Sequence, residues 1–204
     1  MRPPGLILAG GRSSRMGANK ALLPLGDKSV LAHVIRRLAP QVSDLAVNAN
    51  APFPGFESYR YLADDLAGQL GPLAGILTGM RHYSRRLAEV SHFASVPCDS
   101  PFLPLDLVLQ FSAACSDPET IVIATSLERR HPVFGLWPIA LAEDLEHWLI
   151  DNDNRRINGF LSRHRMVTID FPSLQTRRGL LDPFFNINTP EELTQAAAFT
   201  ESLE

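Results

Sequence analysis

Short unbroken apolar runs alternate along this chain with longer segments whose apolar positions recur every three to four residues. Residues 6–9, 45–48, 59–62, 93–96 and 121–124 have the length of strands, and the most continuous of them read as strands covered on both faces. Between the runs, residues 29–38 put Val30, Leu31, Val34, Ile35 and Leu38 on one helical face behind a serine suited to capping. A second helix starts after Gly71-Pro72, where proline fits the first turn, and a third spans residues 104–114. This alternation predicts an α/β fold with three layers, Rossmann-like, around a mostly parallel central sheet.

After residue 126 the rhythm changes. A strand over 131–137, entered through Pro132, leads to helices over about 139–149 and 156–161. A strand over 166–171 and a short extended piece at 185–187 follow. Thr189-Pro190-Glu191-Glu192 then opens a last helix, with threonine as cap, proline in the first turn and acidic residues at the positive helix end. No repeat, low-complexity tract or linker interrupts the pattern, so residues 1–204 read as a single domain.

The first apolar run feeds into Gly10-Gly11-Arg12-Ser13-Ser14-Arg15-Met16-Gly17-Ala18-Asn19-Lys20. Gly10, Gly11 and Gly17 let the backbone come close to a ligand and turn its amides inward on an anion. Arg12, Arg15 and Lys20 add three cations within nine residues and no carboxylate, which suits a triphosphate. The spacing excludes a P-loop, because Gly17 is followed by Ala18 rather than lysine, and the adjacent Gly10-Gly11 pair excludes a dinucleotide fingerprint.

Elsewhere the charge is unremarkable. A net charge of −3 argues against a general nucleic-acid or anionic-membrane surface, so the positive charge is local. Cys98 and Cys115 are the two cysteines, too few for a disulfide framework, and a reducing, cytoplasmic setting is expected. Neither a signal-peptide pattern nor an apolar stretch of roughly 18 residues is present, so a soluble, unprocessed protein is expected.

In an open parallel sheet the ligand lies beyond the carboxyl ends of the strands, which singles out Asn48-Ala49-Asn50, Asp64-Asp65 and Pro97-Cys98-Asp99-Ser100-Pro101. Prolines on both sides restrict the Cys98-Asp99 turn and aim its carboxylate. Nucleotidyl transfer calls for Mg²⁺, a hard cation held by one or two carboxylates and completed by phosphate oxygens, and Asp99 is the candidate ligand. Gly71-Pro72-Leu73-Ala74-Gly75 offers free helix-start amides to a ligand. Cys98 has no evident base partner and reads as a packed thiol, and the six histidines show no metal-ligand spacing. Arg155-Arg156 and Arg177-Arg178 are surface pairs able to meet a second anionic substrate.

Taken together, the glycine-rich loop with Lys20, Asn48-Ala49-Asn50, Gly71-Pro72-Leu73-Ala74-Gly75, Pro97-Cys98-Asp99-Ser100-Pro101-Phe102, His131-Pro132, Arg155-Arg156 and Phe185-Asn186-Ile187-Asn188-Thr189-Pro190 resemble the molybdenum cofactor guanylyltransferases, nucleotidyltransferases of the nucleotide-diphospho-sugar transferase type. The resemblance covers nearly the whole chain. It implies transfer of GMP from GTP to molybdopterin or its molybdenum-loaded form, giving the guanine dinucleotide cofactor and pyrophosphate. It implies GTP binding by Leu8, Ala9, Gly10, Gly11, Arg12, Lys20, Asn48, Asp64, Gly71 and Asp99, with Asp99 also on Mg²⁺. Arg15, Lys20 and Asp99 are then the catalytic residues, and Arg155, Arg156, Asn186 and Asn188 face molybdopterin, so the N-terminal half serves GTP and the C-terminal part the pterin. The family often has aspartate before the loop lysine; Asn19 stands there instead, a loss of one charge expected to be tolerated. The expected partners beyond the substrates are transient ones, cofactor-pathway proteins and molybdoenzymes. Two alternatives stay open from the residues themselves: a related nucleotidyltransferase using CTP or making a nucleotide sugar, and a non-catalytic nucleotide sensor.

Overall fold

A computed structural model of the chain describes residues 2–10, 19–66, 68, 70–87, 89–151 and 156–203. β1 (Gly5–Leu8) is followed by a 3-10 turn at Lys20–Leu22, a small ribbon of β2 (Pro24–Leu25) and β3 (Lys28–Ser29), and helix α1 (Val30–Leu38). Next come β4 (Leu45–Asn48), β5 (Arg60–Leu62), α2 (Pro72–Arg86), β6 (His92–Pro97), α3 (Leu107–Ala114), β7 (Ile121–Ser126) and β8 (Arg129–Pro138). The chain finishes with α4 (Ala142–Asp151), α5 (Ile157–Leu161), β9 (Met166–Asp170), the hairpin β10 (Leu174–Thr176) and β11 (Gly179–Leu181), and α6 (Pro190–Leu203).

Seven strands make the central sheet, in the order β5-β4-β1-β6-β8-β7-β9. β1 pairs parallel with β4 and β6, β4 with β5, and β7 with β9, whereas β8 runs antiparallel to both its neighbours. Alternation along β1 explains the three layers. Leu6 and Leu8 join a cluster with Leu73, Ile76, Leu77 and Met80 of α2, and Ile7 joins one with Leu31, Val34 and Leu38 of α1 and Phe111 of α3. Each such buried side chain contributes about 1.5–3 kcal/mol. The Ser29 cap, whose hydroxyl accepts from the Ala32 amide at 3.3 Å, contributes about 1 kcal/mol, so packing holds α1 in place and the cap sets where it begins.

Helix α2 lies close on the sheet because it presents glycine there. A Cβ at Gly79 would come within 2.7 Å of Leu6 Cδ2 and 2.8 Å of the Phe93 ring, and one at Gly75 would fall on Asn48 Oδ1 and within 2.6 Å of Leu8 Cδ2.

The structure departs from the sequence reading in several places. The short extended piece at 185–187 joins no sheet; the Ile187 amide donates to the Asp99 carbonyl at 2.9 Å, docking this segment on the turn after β6. The helix expected from 139 starts as a 3-10 turn at Ile139–Leu141, and the one expected from 104 starts at Leu107. The β2–β3 and β10–β11 pairs, two and three residues per strand, are too short to show a period. β8 begins at Arg129, two residues before the expected start, because Leu127 and Glu128 make the preceding turn at φ 47° and 60° without glycine or asparagine to signal it.

Gly75→Ala is expected to lower stability by about 1–3 kcal/mol through overpacking, and a urea midpoint equal to that of the unchanged protein would contradict the close α2–sheet approach.

Candidate active site

β1, β4 and β6 end side by side, and the residues leaving them open onto a cavity of about 1110 Å³. Pockets for one ligand are commonly about 300–1,000 Å³, and this one lies just above that range. The turns at its edge continue the ladder: the Cys98 amide donates to the Leu8 carbonyl at 3.1 Å and the Ala9 amide to the Asn48 carbonyl at 3.0 Å.

On one side stands Asn48, 3% exposed, whose amide nitrogen donates to the Leu62 carbonyl at 3.0 Å and to Asp64 Oδ1 at 2.8 Å. Both its hydrogens are thus engaged within the protein. Asn48 thereby fixes the direction of the Asp64 carboxylate. Gly71, at φ +72°, and Pro72 bring the start of α2 to the same wall.

Lys20 occupies the centre. Its turn is capped by Asn19, whose side-chain oxygen accepts from the Ala21 amide at 3.1 Å. Its Nζ donates to Asn188 Oδ1 at 2.6 Å and lies 3.7 Å from Asp99 Oδ2. Burial raises the Asp99 carboxyl above its ordinary range, and the Lys20 charge pulls the other way. Burial, with the Asp99 charge adding, pushes the Cys98 thiol up to about 12, in line with a packed, unreactive sulfur.

Leu8, Ala9, Gly10, Lys20, Asn48, Asp64, Gly71, Asp99 and Asn186 therefore converge on one cavity. Asn188 bonds the lysine instead of lining the wall. Arg156 is exposed at the N-cap of α5 and is not among the described residues of the lining. Gly11, Arg12, Arg15 and Arg155 lie outside the described residues.

The far wall was not anticipated. It carries Arg129 and His131 from the start of β8, with Asp182 and Phe184. Ser126 Oγ donates to Asp182 Oδ1 at 2.7 Å and lies 2.8 Å from His131 Nε2, and the Phe184 amide donates to the same Asp182 oxygen at 2.9 Å. The His131 ring rests on Phe184 with centroids 4.7 Å apart. The available signal was His131-Pro132, weighed in the sequence only as a metal ligand and as part of a motif.

A family model described as a MobA-like NTP transferase domain matches residues 5–167. The molybdenum cofactor guanylyltransferase of Rhizobium rhizogenes is 48% identical, over 98% of this chain and 94% of its own. That of Rhizobium meliloti is also 48% identical, over 99% and 94%. Among solved structures, molybdopterin-guanine dinucleotide biosynthesis protein A from Archaeoglobus fulgidus superposes with a TM-score of 0.71 at 20% identity, covering 97% of this chain and 98% of that one, a likeness of fold. Matches of this extent, on a sheet whose carboxyl edge gathers the loop lysine and Asp99, mean that the chain belongs to the MobA-like NTP transferases and, within them, to the molybdenum cofactor guanylyltransferases.

Proposed function

We propose that the protein transfers GMP from GTP to the terminal phosphate of molybdopterin, releasing pyrophosphate. The observation that carries the reading is the Lys20–Asp99 pair, 3.7 Å apart on the wall of a cavity of about 1110 Å³. An oxygen of the acceptor phosphate forms the new bond to the α-phosphorus of GTP while the bond from that phosphorus to the bridging oxygen breaks, and the electron pair leaves with pyrophosphate. The attacking oxygen is already ionised, so no strong general base is needed, and the chain's task is to align two polyanions and offset their charge.

Lys20 offsets charge on the triphosphate and is kept pointing there by Asn188. The backbone at Gly10, just past the last ladder bond of β1, comes close to the phosphates, and the start of α2 at Gly71 offers further amides. Asp64, aimed by Asn48, is a fixed acceptor for a nucleoside hydroxyl or base N–H. Asn186 lines the pterin side, and Arg12, Arg15, Arg155 and Arg156 are assigned to the two polyanions by motif.

A divalent metal, Mg²⁺ in this reading, suits Asp99: the carboxylate is partly open to the cavity, with its side chain 19% exposed, and one or two carboxylates plus phosphate oxygens are the usual Mg²⁺ set. Bound there, the metal would neutralise phosphate charge as a Lewis acid. The setting we assign is the cytoplasm, with transient contacts to the proteins that supply molybdopterin and take the product.

Mixing protein, GTP, Mg²⁺ and molybdopterin is expected to release pyrophosphate, and GTP to stabilise the protein against heat more than CTP, ATP or UTP. A folded sample that binds GTP without releasing pyrophosphate would refute the transferase reading. Lys20→Ala and Asp99→Ala are each expected to lower turnover by a factor on the order of 10² or more, as for other removed charge stabilisers. Cys98→Ala should stay within about threefold, since a thiolate is disfavoured in this burial; a loss like that of Lys20→Ala would assign the sulfur to the chemistry.

A further inference from the structure

β8 is reversed in the sheet, so its first residues, not its last, reach the edge where β6 and β7 end. In its register with β7, Ser126 faces Arg129 and Ala124 faces His131. Ser126, Arg129 and His131 therefore share one face of the hairpin. The turn between the strands holds Leu127 and Glu128 at φ 47° and 60°, left-handed conformations that side chains of this size rarely adopt. Strain of this kind persists where surrounding contacts over-determine it. The Ser126–Arg129 pair closes this two-residue turn, whose favoured form has positive φ at both positions, and Ser126 beside it bonds Asp182 and His131.

The hydroxyl of Ser126 has one hydrogen, and it goes to Asp182. His131 must then donate Nε2–H to Ser126, which leaves Nδ1 of the neutral ring with its lone pair. No described residue bonds Nδ1. Burial lowers the His131 pKa from its ordinary value, with Arg129 adding and Asp182 opposing, and so favours the neutral ring. Phe184, Phe134 and Pro132 line the same end of the cavity, together with Arg129, Arg130 and Asp182.

We infer that His131, locked in its Nε2–H tautomer by Ser126 and Asp182, is a specificity residue for the acceptor, its Nδ1 accepting a hydrogen bond from an N–H of the acceptor's flat heterocycle. The inference rests on the reading of molybdopterin as acceptor. A lone pair on Nδ1 repels a phosphate dianion, which has no hydrogen to give, and matches a ring rich in N–H donors. Ser126 and Asp182 are positioning residues that act through the ring.

The unchanged protein is first assayed for pyrophosphate release with GTP and molybdopterin; silence there overturns the function reading and this inference with it. Given turnover, His131→Phe, which keeps an aromatic ring and removes the acceptor atom, is expected to raise KM for molybdopterin by on the order of tenfold, the effect of an unpaired donor. KM for GTP, kcat and the heat stabilisation by GTP should stay within about threefold. His131→Gln, with a side-chain carbonyl, should recover part of the loss. Ser126→Ala, read by ¹⁵N NMR of the imidazole, should release the tautomer and raise the same KM by at least about threefold. In the unchanged protein the His131 Nδ1 resonance should move on adding molybdopterin and stay put on adding GTP. An unaltered molybdopterin KM in a folded His131→Phe or Ser126→Ala protein, or a GTP KM that rises as much, overturns the inference.

Discussion

Everything at the site hangs on where Lys20 points, and that direction is fixed from the far end of the chain. Asn188 accepts from Nζ at 2.6 Å, and Asn188 is itself held by the start of α6. Glu192 Oε2 accepts from the amides of Asn188 and Thr189 at 2.6 and 2.9 Å, while Thr189 Oγ1 accepts from the Glu192 amide at 3.2 Å. This is a capping box whose glutamate also reaches the residue before the cap. Helix α6 is anchored by Ala196 and Phe199 in a cluster with Leu25, Val30, Phe102 and Ile187. The C-terminal helix is thus a brace for the loop lysine. The Lys20–Asp99 pair is poor as a stabilising device, because a partly solvated pair at 3.7 Å adds only about 0–1 kcal/mol to stability. Its geometry sets a cation and a carboxylate side by side on the cavity wall.

The reversed strand gives the site its second wall. In an all-parallel sheet, every strand reaches the ligand edge with its last residue, and the loops beyond carry the chemistry. β8 arrives with its first residues, so Arg129 and His131 are presented by backbone paired to Ser126 and Ala124 of β7. Groups on a strand are held more tightly than groups on a loop. Between the Ile123–Gly135 and Ala124–His131 pairs the register shifts, leaving Pro132, Val133 and Phe134 of β8 without a partner on β7, and proline has no N–H to give a ladder there.

Much of this was legible in the residues. The apolar runs located the strands of the nucleotide half because burial on both faces leaves an unmistakable pattern, and the polar residues placed just after them, Asn48, Asp64 and Asp99, do line the cavity. The capping signals at Ser29 and Thr189 also correspond to side-chain bonds. Strand direction was not legible, since a buried strand has the same composition whichever way it runs. That hid His131, which precedes its strand's apolar stretch rather than following one. The bond between Asn188 and Lys20 was equally hidden, because 168 residues separate them and nothing local marks the contact. Asn19 is a different case. The missing aspartate looked like a lost charge near the phosphates, but an asparagine oxygen caps the turn of Lys20 as an aspartate oxygen would.

Two anionic substrates brought together need their charge balanced by the groups around them. Acidic groups are present as well as basic ones: Asp64, Asp99, Asp182 and Glu192 all contribute to the lining. Three of these are tied to internal donors, Asp64 to Asn48, Asp182 to Ser126 and the Phe184 amide, and Glu192 to the amides of Asn188 and Thr189. Asp99 differs, since burial outweighs the pull of Lys20 and raises its carboxyl. A carboxylate in that condition has more to gain from a divalent cation than a solvated one has, because the cation replaces the lost hydration. Three of the four carboxylates are thus held by the protein's own donors, and among the described lining residues the cations stand at two places, Lys20 beside Asp99 and Arg129 and Arg130 on the wall that carries Asp182. Negative charge built into a wall, as much as positive charge, is a means of selecting among anionic ligands.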